Sequence, residues 1–153
     1  MSATGISGLE QLRILLGADL RPMGIAQALQ IDLVEVEEGR AVFAGTPGAH
    51  VCRPQGLVHA GYAATLLESA IGCAVHSLLG AGQGCTTLEL KIAYHRALTP
   101  ATGRVRAEGK VVSMGKRVAF AEGRILDAGG TLYASASSTL LLLEQRAGAF
   151  EPP

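Results

Sequence analysis

The chain has 153 residues, 48% hydrophobic and 17% charged, with 13 basic and 13 acidic residues in balance. That composition describes one compact domain with its own core rather than a disordered chain. Zero net charge and the absence of Trp argue against a nucleic-acid binder or an anionic-membrane binder, which need basic surface or stacking platforms.

The opening MSATGISGLEQLRILLG has neither a cationic start nor a cleavage site after an apolar core, so no signal peptide is expected. No apolar run approaches the roughly 20 residues of a membrane span. Cys52, Cys73 and Cys85 form no C-x-x-C pair and fit free thiols in a reducing cytoplasm. Residues 7–18 place Leu9, Leu12, Leu15 and Leu16 at helical spacing, and Pro22 ends that short helix. Ile31 to Glu37 reads as a strand whose apolar side switches at Leu33-Val34, the mark of a bulge. Glu38-Gly39 turns the chain, and Arg40 to Thr46 returns as the partner strand of a hairpin.

After an irregular connection over Pro47 to Gly56, an apolar helix is expected from Val58 to Leu79, stopped by Gly80, Gly82 and Gly84. Four strand-like segments follow: Thr86 to Arg96, Gly103 to Ser113, Arg117 to Leu126 and Thr131 to Leu142. Leu88, Leu90, Ile92 and Tyr94 alternate with Glu89, Lys91 and His95. Arg104, Arg106, Glu108 and Lys110 share the polar face opposite Val105, Ala107 and Val111. Antiparallel strands with one wet face account for both patterns. The expected fold is α+β: a hairpin, one long helix, and a four-strand meander whose sheet wraps the helix. No linker or internal repeat divides residues 1–153, and the core spans about 25–143.

Glu68 is the one formal charge between Pro54 and Leu88. On a helix it shares a stripe with Gly61, Ala64, Thr65, Ile71, Gly72 and Val75, and no Lys or Arg lies three or four positions away. A buried, unpaired carboxylate costs several kcal/mol, so its presence beside small residues marks a candidate site. Two structural placements stay open: a solvent-facing Glu68, or one bonded to an Arg of the sheet. Just upstream, Gly56-Leu57-Val58-His59-Ala60-Gly61 leads into the helix. Unpaired N–H groups at a helix start favour negative charge and suit an oxyanion hole. His59 precedes Glu68 by nine residues, two and a half helical turns, so the two would face opposite sides if both were helical. His59 therefore sits on the loop, or the site joins two subunits.

The pattern G-x-x-H-x-G, an acid nine residues after the His, then T-x-x-L-x-x-x-Y and strands resembles the hotdog-fold acyl-CoA thioesterases, on the phenylacetate-degradation and 4-hydroxybenzoyl-CoA thioesterase side. The resemblance implies a sheet wrapped around a central helix, dimers that commonly pair into tetramers, and sites at the dimer interface. By position it makes Glu68 the catalytic acid, as nucleophile or general base. The Ala60 N–H, with Gly61 nearby, polarises the thioester carbonyl, and His59 orients that loop. Thr87 is a hydroxyl near the water. Arg53 stands where members carry Asn or Gln; Gln55 is a substitute for that role, while Arg53 could bind a phosphate or an acidic acyl group.

Tyr62, Thr65 and Leu66 are expected in the acyl-pocket wall. The turn Ser113-Met114-Gly115-Lys116-Arg117 is expected to hold the coenzyme A nucleotide, with Arg96 and Arg104 as weaker candidates. Coenzyme A enters as part of the substrate, and no other cofactor is implied. His50, His59, His76 and His95 lack ligand spacing for a metal, and no G-x-S-x-G elbow is present. Two other functions remain: a hotdog dehydratase or hydratase, and a non-catalytic acyl-CoA-binding or regulatory module.

Overall fold

The computed structural model describes residues 5–16 and 24–144. Helix α1 covers Gly8–Leu16 and a second helix, α2, covers Gly24–Leu29. Six residues without a clear apolar stripe gave α2 no sequence signature. The expected stop at Pro22 lies outside the described residues. Strands β1 (Ile31–Glu37) and β2 (Arg40–Gly45) form the hairpin, and their register shifts between Leu33 and Glu35, where the apolar alternation breaks. Helix α3 runs Ala60–His76, followed by β3 (Gln83–Tyr94), β4 (Val105–Met114), β5 (Val118–Asp127) and β6 (Leu132–Glu144).

All six strands form one antiparallel sheet in the order β1-β2-β4-β5-β6-β3. The meander is thus three strands, not four: β3 pairs with β6 at the sheet edge instead of with β4. The chain between them explains this correction. Residues 95–104 are not a tight turn. Leu98 is buried there, and its carbonyl accepts the Val58 N–H at 3.1 Å, tying the link to the loop before α3. With this link anchored to the loop before α3, β3 and β4 are not joined by a tight turn; β4 lies beside β2 and β3 lies at an edge.

Helix α3 buries Tyr62, Ala63, Leu66, Leu67, Ala70, Ile71, Ala74 and Val75 against the sheet. From the sheet, Ala107, Ala121, Ile125, Ala134 and Leu140 meet it. Contact is close because the facing residues are small. At Gly109 on β4, a Cβ would collide with the Ala70 carbonyl and the Ile71 nitrogen. The outer sheet face is wet and charged. Arg40 bridges Glu35 (3.0 Å), Glu37 (2.7 Å) and Glu108 (2.9 Å), Arg124 reaches Glu108 at 3.3 Å, and Arg106 pairs with Glu35. These pairs tie β1, β2, β4 and β5 together on the face away from α3. Among the described residues, no helix is long and apolar enough to cross a membrane.

Candidate active site

The start of α3 is built by its cap. His59 is the N-cap in an extended conformation (φ −64°, ψ 136°), and its Nδ1 accepts the Gly61 N–H at 2.8 Å. A histidine that accepts at Nδ1 carries its proton on Nε2, which assigns the tautomer from the hydrogen bond. The ring lies so close that a Cβ on residue 61 would sit 2.8 Å from Nδ1. Gly61 is therefore set by contact with His59. The Tyr62 N–H donates to the His59 carbonyl at 3.0 Å. That leaves the Ala60 N–H, which has no acceptor among the described residues and lies on an exposed residue. Of the first N–H groups of α3, this donor alone is free for a carbonyl oxygen.

Glu68 lies eight residues further along and is exposed on the isolated chain, not buried as its apolar neighbours suggested. Ile71 and Val75, assigned to its stripe by spacing, turn inward to the core, while Gly61, Ala64, Thr65 and Gly72 remain half-buried on the outer side. One of the two alternative placements, solvent exposure, thus describes the single chain. The other does not hold, because Arg40, Arg106 and Arg124 pair with Glu35, Glu37 and Glu108 on the opposite face. The partner of Glu68 is a hydroxyl: Thr87 Oγ1 donates to Glu68 Oε1 at 2.9 Å. A bulge between Thr87 and Glu89 follows at once on β3.

A cleft of about 490 Å³ opens beside the start of α3, lined by His59, Ala60, Arg53, Tyr94, Arg96 and Tyr133 among others. Tyr94, placed from the sequence only as an apolar strand position, donates its hydroxyl to the Ala60 carbonyl at 3.1 Å. It fixes the peptide next to the free N–H. The T-x-x-L-x-x-x-Y spacing contained this residue, but only the fold shows that strand β3 returns to the helix start. Arg96 also lines the cleft.

Other expected residues lie elsewhere. Tyr62 and Leu66 are not in a pocket wall, because both point into the core; Tyr62 is 2% exposed, and its hydroxyl has no hydrogen-bond partner among the described residues. Burial pushes its phenol up to about 12. Thr65 donates to the Gly61 carbonyl at 2.9 Å. Gln55 is exposed in the turn before Gly56 and does not line the cleft. Ser113, near the end of β4, and Gly115, Lys116 and Arg117, in the β4–β5 turn, are all exposed. Val118 after this turn pairs with Leu141, which pairs with Thr86, so the turn shares the Glu68–Thr87 end of the sheet.

The Thioesterase superfamily profile matches residues 55–134, more than half of the chain, including both His59 and Glu68. No curated protein matches. Among solved structures, the chain is similar to a thioesterase from Haemophilus influenzae at 18% identity and TM-score 0.78, covering 93% of this chain and 94% of that one. It is similar to a conserved protein from Pseudomonas aeruginosa at 28% identity and TM-score 0.74, covering 82% and 99%. A third is PaaI, from the phenylacetic acid degradation operon of Escherichia coli, at 20% identity and TM-score 0.75, covering 89% and 93%. With its sheet wrapped around α3 and this family match, the chain belongs to the thioesterase superfamily and has the hotdog fold.

Proposed function

We propose that the protein hydrolyses acyl-CoA thioesters, using Glu68 of one protomer and the Ala60 N–H of a second. The observation that carries this reading is Glu68 itself: an exposed carboxylate, the one Asp, Glu, Lys or Arg on α3, without a basic partner among the described residues and held by Thr87 through one oxygen. Oε2 is left for a water. A thioester is an activated acyl group, so a carboxylate, a water and a polarising N–H are sufficient chemistry.

Within one chain the two groups cannot share a substrate. Ala60 and Glu68 lie about 12 Å apart along the helix axis at 1.5 Å per residue. Strand β3 supplies the second copy. It is a sheet edge with Leu88 56% and Tyr94 50% exposed, and an edge with apolar side chains favours pairing. Thr87 holds Glu68 near one end of β3, and Tyr94 holds the Ala60 peptide at the other. Antiparallel pairing of two β3 strands about a point near Leu90 brings each Glu68 to the partner's helix start. The assembly is then a dimer, and the family resemblance adds the pairing of such dimers into a tetramer.

In the reaction, water adds to the thioester carbon and passes a proton to Glu68, while the carbonyl oxygen draws on the Ala60 N–H. The C–S bond then breaks, the acyl group leaves as a carboxylic acid, and the proton passes to the coenzyme thiolate. Direct attack by Glu68, through a mixed anhydride that water opens, uses the same carboxylate. His59 positions the Ala60–Gly61 peptide, and the Lys116–Arg117 turn holds the nucleotide. Cys52, Cys73 and Cys85 are all free, which suits a reducing compartment such as the cytoplasm.

The test is thiol release from a panel of aryl and aliphatic acyl-CoAs, with wild type beside Glu68→Gln. The reading expects turnover by wild type and a loss of roughly a hundredfold or more in the variant. Binding without turnover by wild type would point to a binding module instead.

A further inference from the structure

The cleft at the start of α3 holds two cations that the hydrolytic reading does not use. Arg53 lines it from the loop before the helix, and Arg96 from the link after β3. Neither guanidinium has an ion-pair or hydrogen-bond partner among the described residues, whereas Arg40, Arg106 and Arg124 on the outer face are all paired with Glu. No Asp or Glu lines the cleft. Asp127, bonded to the lining residue Tyr133, accepts from the Gly129 and Thr131 N–H groups at 2.9 Å each and from the Tyr133 hydroxyl at 3.3 Å. The remaining polar lining is His59, His95 and the two tyrosines, and the buried lining is Val58, Ala63, Leu98 and Ala134. A cleft with a buried apolar lining, bordered by two exposed guanidiniums, is complementary to a short chain with an anionic tip.

Two anions travel with an acyl-CoA: the phosphates of the nucleotide and, on some substrates, a carboxylate on the acyl group. Geometry chooses between them. Ala60 lines this same cleft, so a thioester carbonyl on its N–H places the acyl carbon inside it. The long pantetheine arm carries the phosphates far from the sulfur. A carboxylate a few carbons beyond the thioester, by contrast, stays within the cleft. We propose that Arg53 and Arg96 select an acyl group ending in a carboxylate, so that the substrate is a coenzyme A thioester of a short dicarboxylic acid. This inference rests on the thioesterase reading above. It also has an electrostatic consequence: a substrate carboxylate brought close to Glu68 is repelled unless cations lie between, and these two guanidiniums supply them.

Binding and turnover separate the inference from the reading it rests on. The probes are two non-hydrolysable thioethers of coenzyme A, S-butyl and S-(3-carboxypropyl), titrated calorimetrically into the wild-type protein, Arg53→Gln and Arg96→Gln. Wild type should bind the carboxylated thioether about tenfold more tightly or better, with the preference shrinking as salt rises. Each variant should lose most of that preference while binding the butyl thioether as before. Equal affinity of wild type for the two thioethers overturns the inference. So does a variant that weakens both thioethers and free coenzyme A alike, since the cations would then be holding phosphate. In parallel, thiol release from succinyl-CoA and butyryl-CoA reports on the reading: equal hydrolysis of both leaves the thioesterase intact and the selectivity refuted. Selective binding with no turnover of either refutes the thioesterase and leaves a dicarboxylyl-CoA binder.

Discussion

The hydrogen bond from Thr87 to Glu68 does two things at the residue scale. It fixes the carboxylate on a helix whose neighbours are too small to do so, and it commits one of the two oxygens, leaving the other for water. Thr87→Val keeps the shape and removes the donor. Its kcat should fall roughly tenfold with the fold intact, as judged by an unchanged Tm. An unchanged kcat would remove Thr87 from the mechanism. Ala60 offers a sharper probe, because it is the first helical position and its predecessor is already extended at ψ 136°. Proline is favoured at that position and has no N–H. Ala60→Pro should therefore fold normally yet lose about a hundredfold or more in kcat. Tyr62 illustrates the opposite case, a polar group that stability does not need. Tyr62→Phe removes a buried hydroxyl without a partner and should raise stability by about 1 kcal/mol at neutral pH. The phenol titrates near 10 when unfolded and at about 12 when folded. Its contribution is thus complete below pH 10 and is lost as pH rises toward 12, because the unfolded chain ionises first. Thermal melts from pH 9 to 12 should fall more steeply for wild type than for Tyr62→Phe.

At the scale of elements, the helix and the sheet approach as closely as their smallest residues allow. The Gly109 position on β4 lies against the backbone of α3 at Ala70 and Ile71, so a methyl there must push the helix outward. Gly109→Ala should cost about 1–3 kcal/mol, read as a fall of several degrees in Tm. A Tm within a degree of wild type would mean that the helix has room to move. Most of these elements could be read from the chain directly. The switch of apolar side at Leu33-Val34 marked the β1 bulge, and the alternation of Arg104 to Val111 marked the two faces of β4. Sequence missed the placement of β3, because its alternation speaks of faces and not of neighbours. The neighbours of β3 are set by tertiary contacts, among which the bond between Val58 and Leu98 ties the link after β3 to the loop before α3. The same limit applied to Glu68. Its spacing predicted a buried stripe, but the inward turn of Ile71 and Val75 leaves the acid outside, and only the packed sheet decides which side is inward.

For the whole molecule, the half-exposed stripe around Glu68 and the exposed apolar residues of the β3 edge are the surface that the proposed dimer would cover. His59, Ala60 and Glu68 were visible as a motif, and the distance between Ala60 and Glu68 along one helix is what the proposed function answers with a second copy. Leu88→Lys places a charge on the β3 edge and should shift the assembly toward monomer in sedimentation, with activity falling in step. The most direct test of a shared site is complementation. Glu68→Gln and Ala60→Pro, each nearly inactive alone, are co-refolded in equal amounts and assayed for thiol release from an acyl-CoA that wild type hydrolyses. Mixed dimers then contain one intact site, and activity should recover to about a quarter of the wild-type value on random pairing. No recovery from a mixture shown to contain mixed dimers would mean that Glu68 and the Ala60 N–H do not act across the interface on one substrate.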